Sequence, residues 1–204
     1  IPSTVTSILE SAFYKCTKLT SVTIPASVTN SMNNSFYESS GAITVAASNP
    51  NFSSLDGILY NKGKSTLIFC PIDISGNITI PSTVTTLDSW AFSGCNEMET
   101  VTIPTATVTI PFGTFRGCSA NIVVDDANTK FSSTSGVLYN KTKTQLLAIP
   151  ITKTGIFAIP ESVTYIDDYA FTADIQISGI YTTKTTPINI ANNSFSPFKY
   201  IDKS

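Results

Sequence analysis

The chain has 204 residues, and 13 % of them are charged, 12 Lys or Arg against 14 Asp or Glu. A net charge of -2 without a basic run removes the electrostatic footprint of a nucleic-acid binder, and the lack of any histidine removes Ser-His and Cys-His catalysis and the commonest zinc ligand. No stretch approaches the roughly 18 consecutive apolar residues of a membrane helix.

The opening Ile1-Pro2-Ser3 has neither an initiator methionine nor a charged leader, so a mature or trimmed chain is expected. Ser and Thr together number 56, a hydroxyl-rich make-up common in exported β-rich proteins, which points to secretion or cell-surface display. Five segments open with Ile-Pro and carry a Phe at the same distance from the Ile: Ile1 to Phe13, Ile24 to Phe36, Ile80 to Phe92, Ile103 to Phe115 and Ile159 to Phe171. Short intervals, Ile1 to Ile24 and Ile80 to Ile103, alternate with long ones, Ile24 to Ile80 and Ile103 to Ile159. Each pair of like intervals is equal in length, so a larger unit recurs, first from Ile1 to Ile80 and again from Ile80 to Ile159. One solenoid over residues 1–204 is expected, with units 1–79 and 80–158 and a partial unit 159–204.

The first predicted strand is Leu19-x-x-Val22-x-Ile24, matched by Met98-x-x-Val101-x-Ile103 and, more loosely, by Ile177-x-x-Ile180. Alternation sends Val22 and Ile24 into the core and leaves Thr23 and Thr102 outside. Pro25 or Pro104 ends the pairing, and Val28 or Val84 begins the return. Next come Ile58-Leu59-Tyr60 and Leu67-Ile68-Phe69 around Asn61-Lys62-Gly63-Lys64. One large unit later they are answered by Val137-Leu138-Tyr139 and Leu146-Leu147-Ala148 around Asn140-Lys141-Thr142-Lys143. Each is read as an inserted β-hairpin with a basic turn, in the sheet or projecting from it. Thr185 to Phe195 lacks the Ile-Pro opening and is expected to form a cap-like terminal rung.

Ile80-Pro-Ser-Thr-Val-Thr-Thr-Leu-Asp-Ser-Trp-Ala-Phe-Ser-Gly-Cys95, continuing into Val101-Thr-Ile-Pro104, resembles the BspA-type leucine-rich-repeat family, and Asn49 to Asn61 resembles an insertion common in it. The resemblance covers nearly the whole chain. It implies surface or secreted proteins of host-associated bacteria and some protozoan parasites, with characterised members acting as adhesins toward host extracellular proteins. The expected fold is an α/β repeat solenoid: a right-handed, curved leucine-rich-repeat array with a parallel β-sheet on one face, irregular or short helical returns, and inserted hairpins.

No catalytic, cofactor or metal site is expected. Cys16, Cys95 and Cys118 each stand at the same place after a repeat Phe, and Cys70 matches Ile149, so buried structural thiols are the preferred reading. Asp167-Asp168 and Asp125-Asp126 read as turn acids, since neighbours in an extended segment face opposite ways. The candidate ligand-binding positions are the outward sheet residues Thr20, Ser21 and Thr23 with their counterparts Glu99, Thr100 and Thr102. To these are added Trp90 and Tyr169, which share one slot of the large unit, and the turn lysines Lys62, Lys64, Lys141 and Lys143. The leading functional expectation is a noncatalytic adhesin-like binder of host protein. The alternatives are spacer repeats of a larger surface protein and a glycan-binding module, and exposed strand edges leave room for end-to-end or edge self-association.

Overall fold

The computed structural model describes residues 1–30, 34–172 and 175–191. The part of the expected terminal rung around Phe195 lies outside the described residues. Among those described there is no helix, which corrects the α/β expectation: the returns are turns and very short strands. The physical reason lies in composition, because return segments such as 81–94 are rich in Ser and Thr and bounded by Pro and Gly, residues of low helix propensity that favour turns.

The first series of strands is β1 (Ser21–Ile24), β2 (Ala42–Val45), β6 (Gly76–Thr79), β8 (Met98–Ile103), β9 (Asn121–Val124), β13 (Gly155–Ala158) and β15 (Ile177–Tyr181). These pair in parallel as β1-β2, β6-β8-β9 and β13-β15, three separate sheets instead of one continuous face. Period-two alternation is strict in β1, where Val22 and Ile24 are buried and Ser21 and Thr23 are exposed. Each unit then returns through a second series, β5 (Thr66–Phe69), β7 (Thr86–Leu87), β12 (Gln145–Ala148), β14 (Tyr165–Ile166) and β16 (Asn189–Ile190), again paired in parallel. A turn carrying the repeat Phe completes the rung. Phe13 stacks on Phe36 at 4.8 Å, Phe36 on Phe69 at 5.6 Å, and Phe92 on Phe115 at 5.1 Å.

Phe69 therefore belongs to the Phe column, and the long interval from Ile24 to Ile80 is one ordinary rung followed by one enlarged by the insertion. That insertion is larger than a hairpin. β3 (Phe52–Leu55), β4 (Ile58–Asn61) and β5 form an antiparallel meander, and β10 (Phe131–Thr134), β11 (Val137–Asn140) and β12 repeat it in the next unit. The meanders join the second-series sheets and interrupt the first series. All three leading residues of β4, Ile58, Leu59 and Tyr60, are buried, because the strand has core on both sides. Leu59 packs into the cluster of Val22, Ile24 and Phe36, while Ile58 and Tyr60 pack into the central cluster of Leu87, Phe92 and Val101. β11 divides the core in the same way: Leu138 faces the central cluster, and Val137 and Tyr139 face that of Ile159 and Phe171.

Each meander is pinned by a buried asparagine. Asn49 donates through Nδ2 to the Pro25 and Val28 carbonyls at 2.8 and 2.9 Å, and its Oδ1 accepts from Asn51 and Phe52 N–H. Asn128 repeats all four bonds with Pro104, Thr107, Lys130 and Phe131. Such a side chain commits every donor and acceptor to backbone groups. Asn128→Ala is expected to lower stability by about 2–4 kcal/mol in urea denaturation, with the exposed Thr129→Ala changing it by less than about 0.5 kcal/mol; equal effects would remove the latch. A second expectation concerns alkali. Burial pushes the Tyr139 phenol up to about 12 and raises that of Tyr60 as well. An unfolded tyrosine ionises near pH 10, so this stabilisation is complete below about pH 10 and is lost as pH rises toward about 12. The urea midpoint should fall across that window, and Tyr139→Phe should flatten the fall.

Candidate functional site

The outward sheet positions line up in ranks. Thr23 is opposite Thr44 and Ser21 opposite Ala42 in β1-β2. In the central sheet Thr102 lies between Thr79 and Val123, and Thr100 between Asn77 and Asn121. Thr20, Ser21, Thr23 and Glu99 are exposed, whereas Thr100 and Thr102 are half-buried. The meanders separate the two patches, so the two sets of candidates stand on different sheets.

The turn lysines divide by role. Lys62 donates through Nζ to the Ala47 carbonyl at 2.9 Å, and Lys141 does the same to Asp126 at 3.0 Å. Both tie the meander to the loop before it. Lys143 donates to Thr134 Oγ1, and Lys64 has no side-chain partner among the described residues.

The turn side gathers the most chemistry. In each complete turn the second position before the repeat Phe has a positive φ: Ser11, Asn34, Trp90, Gly113 and Tyr169. A bulky side chain in that conformation costs on the order of 1 kcal/mol and persists only where packing holds it. Trp90 is held by its neighbours in both directions. Its ring lies 5.5 Å from Tyr37, 6.1 Å from Phe112 and 4.8 Å from Tyr169. The slot below it is glycine of necessity, since a Cβ on Gly113 would come within 2.4 Å of the indole. Trp90 and Tyr169 thus touch, although they are one whole unit apart in sequence.

They can touch because β5 and β12 lack the loop that carries them. Leu67 runs through Ile68 directly to Phe69, with no counterpart of Asp88-Ser89-Trp90. The aromatic rings close over that missing loop. Asp88 and Asp167 start the loops, each accepting the next residue's N–H at 3.0 and 2.9 Å, and burial raises both carboxyls. Their observed bonds are those of turn acids.

At the second position after the Phe, positive φ recurs at Lys15, Glu38, Gly94 and Gly117. This column lines an open groove of about 540 Å³. Arg116 stands on its wall and donates through Nη1 to Tyr37 Oη and Glu38 Oε1, both at 2.8 Å. Its guanidinium lies 5.8 Å from the Tyr169 ring centre. Lys15 approaches the other oxygen of Glu38 at 3.4 Å, and its ammonium, held charged by the Tyr14 phenol and then by Glu38, lies 5.2 Å from the Tyr14 ring centre. Sequence reasoning singled out Trp90 and Tyr169 but missed Arg116, Glu38, Tyr37 and Lys15. The available signal was Arg116, the single arginine of the chain, placed next to a repeat Phe.

Cys70, Cys95 and Cys118 are buried and Cys16 is partly exposed. The Cys95 thiol is raised by its contact with Cys70 and by burial, which leaves it inert as a nucleophile. Among the described residues no three His, Cys, Asp or Glu side chains are placed to hold a metal ion, and no helix is long and apolar enough to cross a membrane.

A family profile described as the BspA type leucine rich repeat region matches the chain in six copies, over residues 1–71, 67–157 and 152–203. No curated protein matches the sequence. Among solved structures, a leucine rich cell surface protein from Faecalibacterium prausnitzii is 26 % identical with a TM-score of 0.58, covering 90 % of this chain and 53 % of that one. A leucine-rich repeat protein from Eubacterium ventriosum is 20 % identical with a TM-score of 0.55, over 89 % of this chain and 54 % of that one. The pneumococcal vaccine antigen PcpA is 18 % identical with a TM-score of 0.52, over 89 % and 54 %. At such identity the last two speak for the fold alone. The chain spans about half the length of the solved proteins it matches.

Gly113→Ala is expected to displace the indole and to destabilise the chain by more than about 1 kcal/mol, since the position also needs a positive φ. Trp90 is the single tryptophan, so its emission reads the change directly: a red shift is expected, and an unshifted spectrum would contradict the packing described.

Proposed function

Because the chain belongs to the BspA-type leucine-rich-repeat family, we propose that it is a noncatalytic binding scaffold of a cell-surface or secreted protein, adhesin-like in action, that holds a host extracellular protein against its repeats. The observation that carries this reading is the register of the outward strand residues. Thr23 with Thr44, and Thr79 with Thr102, stand side by side on strands fixed by a buried ladder. Neighbouring strands lie about 4.8 Å apart. Hydroxyls and amides held at that spacing can exchange hydrogen bonds with a partner at little cost in side-chain ordering at the moment of contact. The printed description of the Faecalibacterium prausnitzii relative, a cell surface protein, agrees with display outside the cell.

The rigidity comes from the core and not from the surface, so the outward positions are free to be changed. Lys64, half-buried, is the turn lysine whose ammonium makes no hydrogen bond with a described residue, whereas Lys62, Lys141 and Lys143 bond to the protein itself.

The test is an array of extracellular-matrix proteins probed with the whole chain and with the Thr23→Lys, Thr102→Lys double variant. Capture is expected to fall at least tenfold with the melting temperature unchanged. Equal capture by both would reject the sheet as the binding face. Silence across the array from a folded sample would favour spacer repeats.

A further inference from the structure

We propose that the turn-side groove around Arg116 is a second binding site, for the carboxylated sugars of acidic glycans, the uronate and sialate class. The proposal rests on the reading of the chain as a binding scaffold but uses a different surface from the strand threonines.

Arg116 is built as a receptor. Nη1 is anchored by Tyr37 Oη and Glu38 Oε1, and the plane is supported by the Tyr169 ring. Nε and Nη2 make no hydrogen bond with any described residue. A guanidinium fixed on one side presents two parallel N–H donors on the other, which is the complement of a carboxylate. The charge count agrees. Lys15 and Arg116 share Glu38, leaving one positive charge in the groove of a chain whose net charge is -2.

Thr172 lines the same wall, but it is 8 % exposed and its hydroxyl oxygen is closed to solvent, so the polar contacts open to a ligand are those of Arg116 and Lys15. Gly94 and Gly117 line the groove, whose volume is about 540 Å³; a Cβ on Gly117 would meet nothing closer than 3.9 Å, while one on Gly94 would come within 3.2 Å of Glu38. Tyr14, 45 % exposed and stacked on Tyr37, offers aromatic surface next to Lys15 at the groove's edge. A pyranose has an apolar C–H face for such a ring.

A protein segment fits less well. The groove is walled by turns and offers no strand edge for a peptide backbone to join. Its lining is mixed and charged, without the closed apolar pocket that anchors a protein hot spot.

The experiment titrates the whole chain with 3′-sialyllactose and with a glucuronate-containing hyaluronan tetrasaccharide, following heat and Trp90 emission, with lactose and a hexaglutamate peptide as comparisons. Both carboxylated sugars are expected to bind at least tenfold more tightly than lactose and to change the Trp90 signal. Arg116→Gln should lose at least tenfold, and Arg116→Lys, which keeps the charge but not the fork, should not restore it. Lys15→Gln, on an exposed side chain, should weaken binding severalfold and keeps the test decisive if Arg116→Gln disturbs the turn. Absence of sugar binding, or binding indifferent to both Arg116 and Lys15, overturns the proposal. Tighter binding of hexaglutamate with the same Arg116 dependence also overturns it, in favour of an acidic protein segment. The double variant Thr23→Lys, Thr102→Lys should bind the sugars unchanged. Protein capture without sugar binding would thus remove this site alone, and sugar binding without protein capture would remove the sheet reading alone.

Discussion

A single rung of this protein is too thin to bury both edges of its apolar residues, and everything else in the structure follows from that shortage. Ile24, Val28 and Phe36 reach zero or near-zero exposure only because a rung lies on each side of them. Burial of one such side chain is worth about 1.5–3 kcal/mol, and it is gained at the interface between rungs rather than within any of them. Stability in such an array is therefore a sum of neighbour terms. The hydrogen-bonded ladders set the spacing at which those terms operate, and the columns of Val, Ile and Phe fill it.

The meanders alter this pattern at two places. A strand with core on both faces can replace a stacked rung, provided that its residues are apolar in succession and not in alternation, as Ile58-Leu59-Tyr60 and Val137-Leu138-Tyr139 are. The buried asparagines join the insertion to the rung before it: Asn49 accepts from two N–H groups at the start of the insertion and donates to two carbonyls of the preceding return. The insertion has a consequence at a distance. The enlarged rungs omit the loop before their Phe position, and rings from the rungs above and below meet in the space that is left. Conformational strain at the positive φ of Trp90 is offset by its contacts with Tyr37, Phe112 and Tyr169.

This places two chemically different surfaces on one rigid support. The strand faces present hydroxyls and amides in fixed ranks, separated into patches by the meanders. The turn side presents charge and aromatic surface in a groove, organised by one arginine that crosses from its own rung to Glu38 and Tyr37 in an earlier unit. Neither surface depends on a moving part. In a scaffold of this kind the outward residues can be exchanged while the core stays as it is.

The sequence alone determined the repeat, because the register of the large unit and the constant Ile-Pro to Phe interval are visible without any geometry. It also determined the inward and outward sense of β1 and β8, since period-two alternation admits one solution when one face must be dry. It did not determine that the returns are turns instead of short helices, because the low helix propensity of Ser and Thr is a weak preference that packing can override. Nor could it show that Phe69 belongs to the Phe column, as the enlargement of that rung hides the match. The groove was illegible for a related reason: Arg116, Glu38, Tyr37 and Lys15 are scattered from position 15 to position 116. Only stacking, which turns sequence intervals of a whole unit into distances of a few ångströms, brings them together.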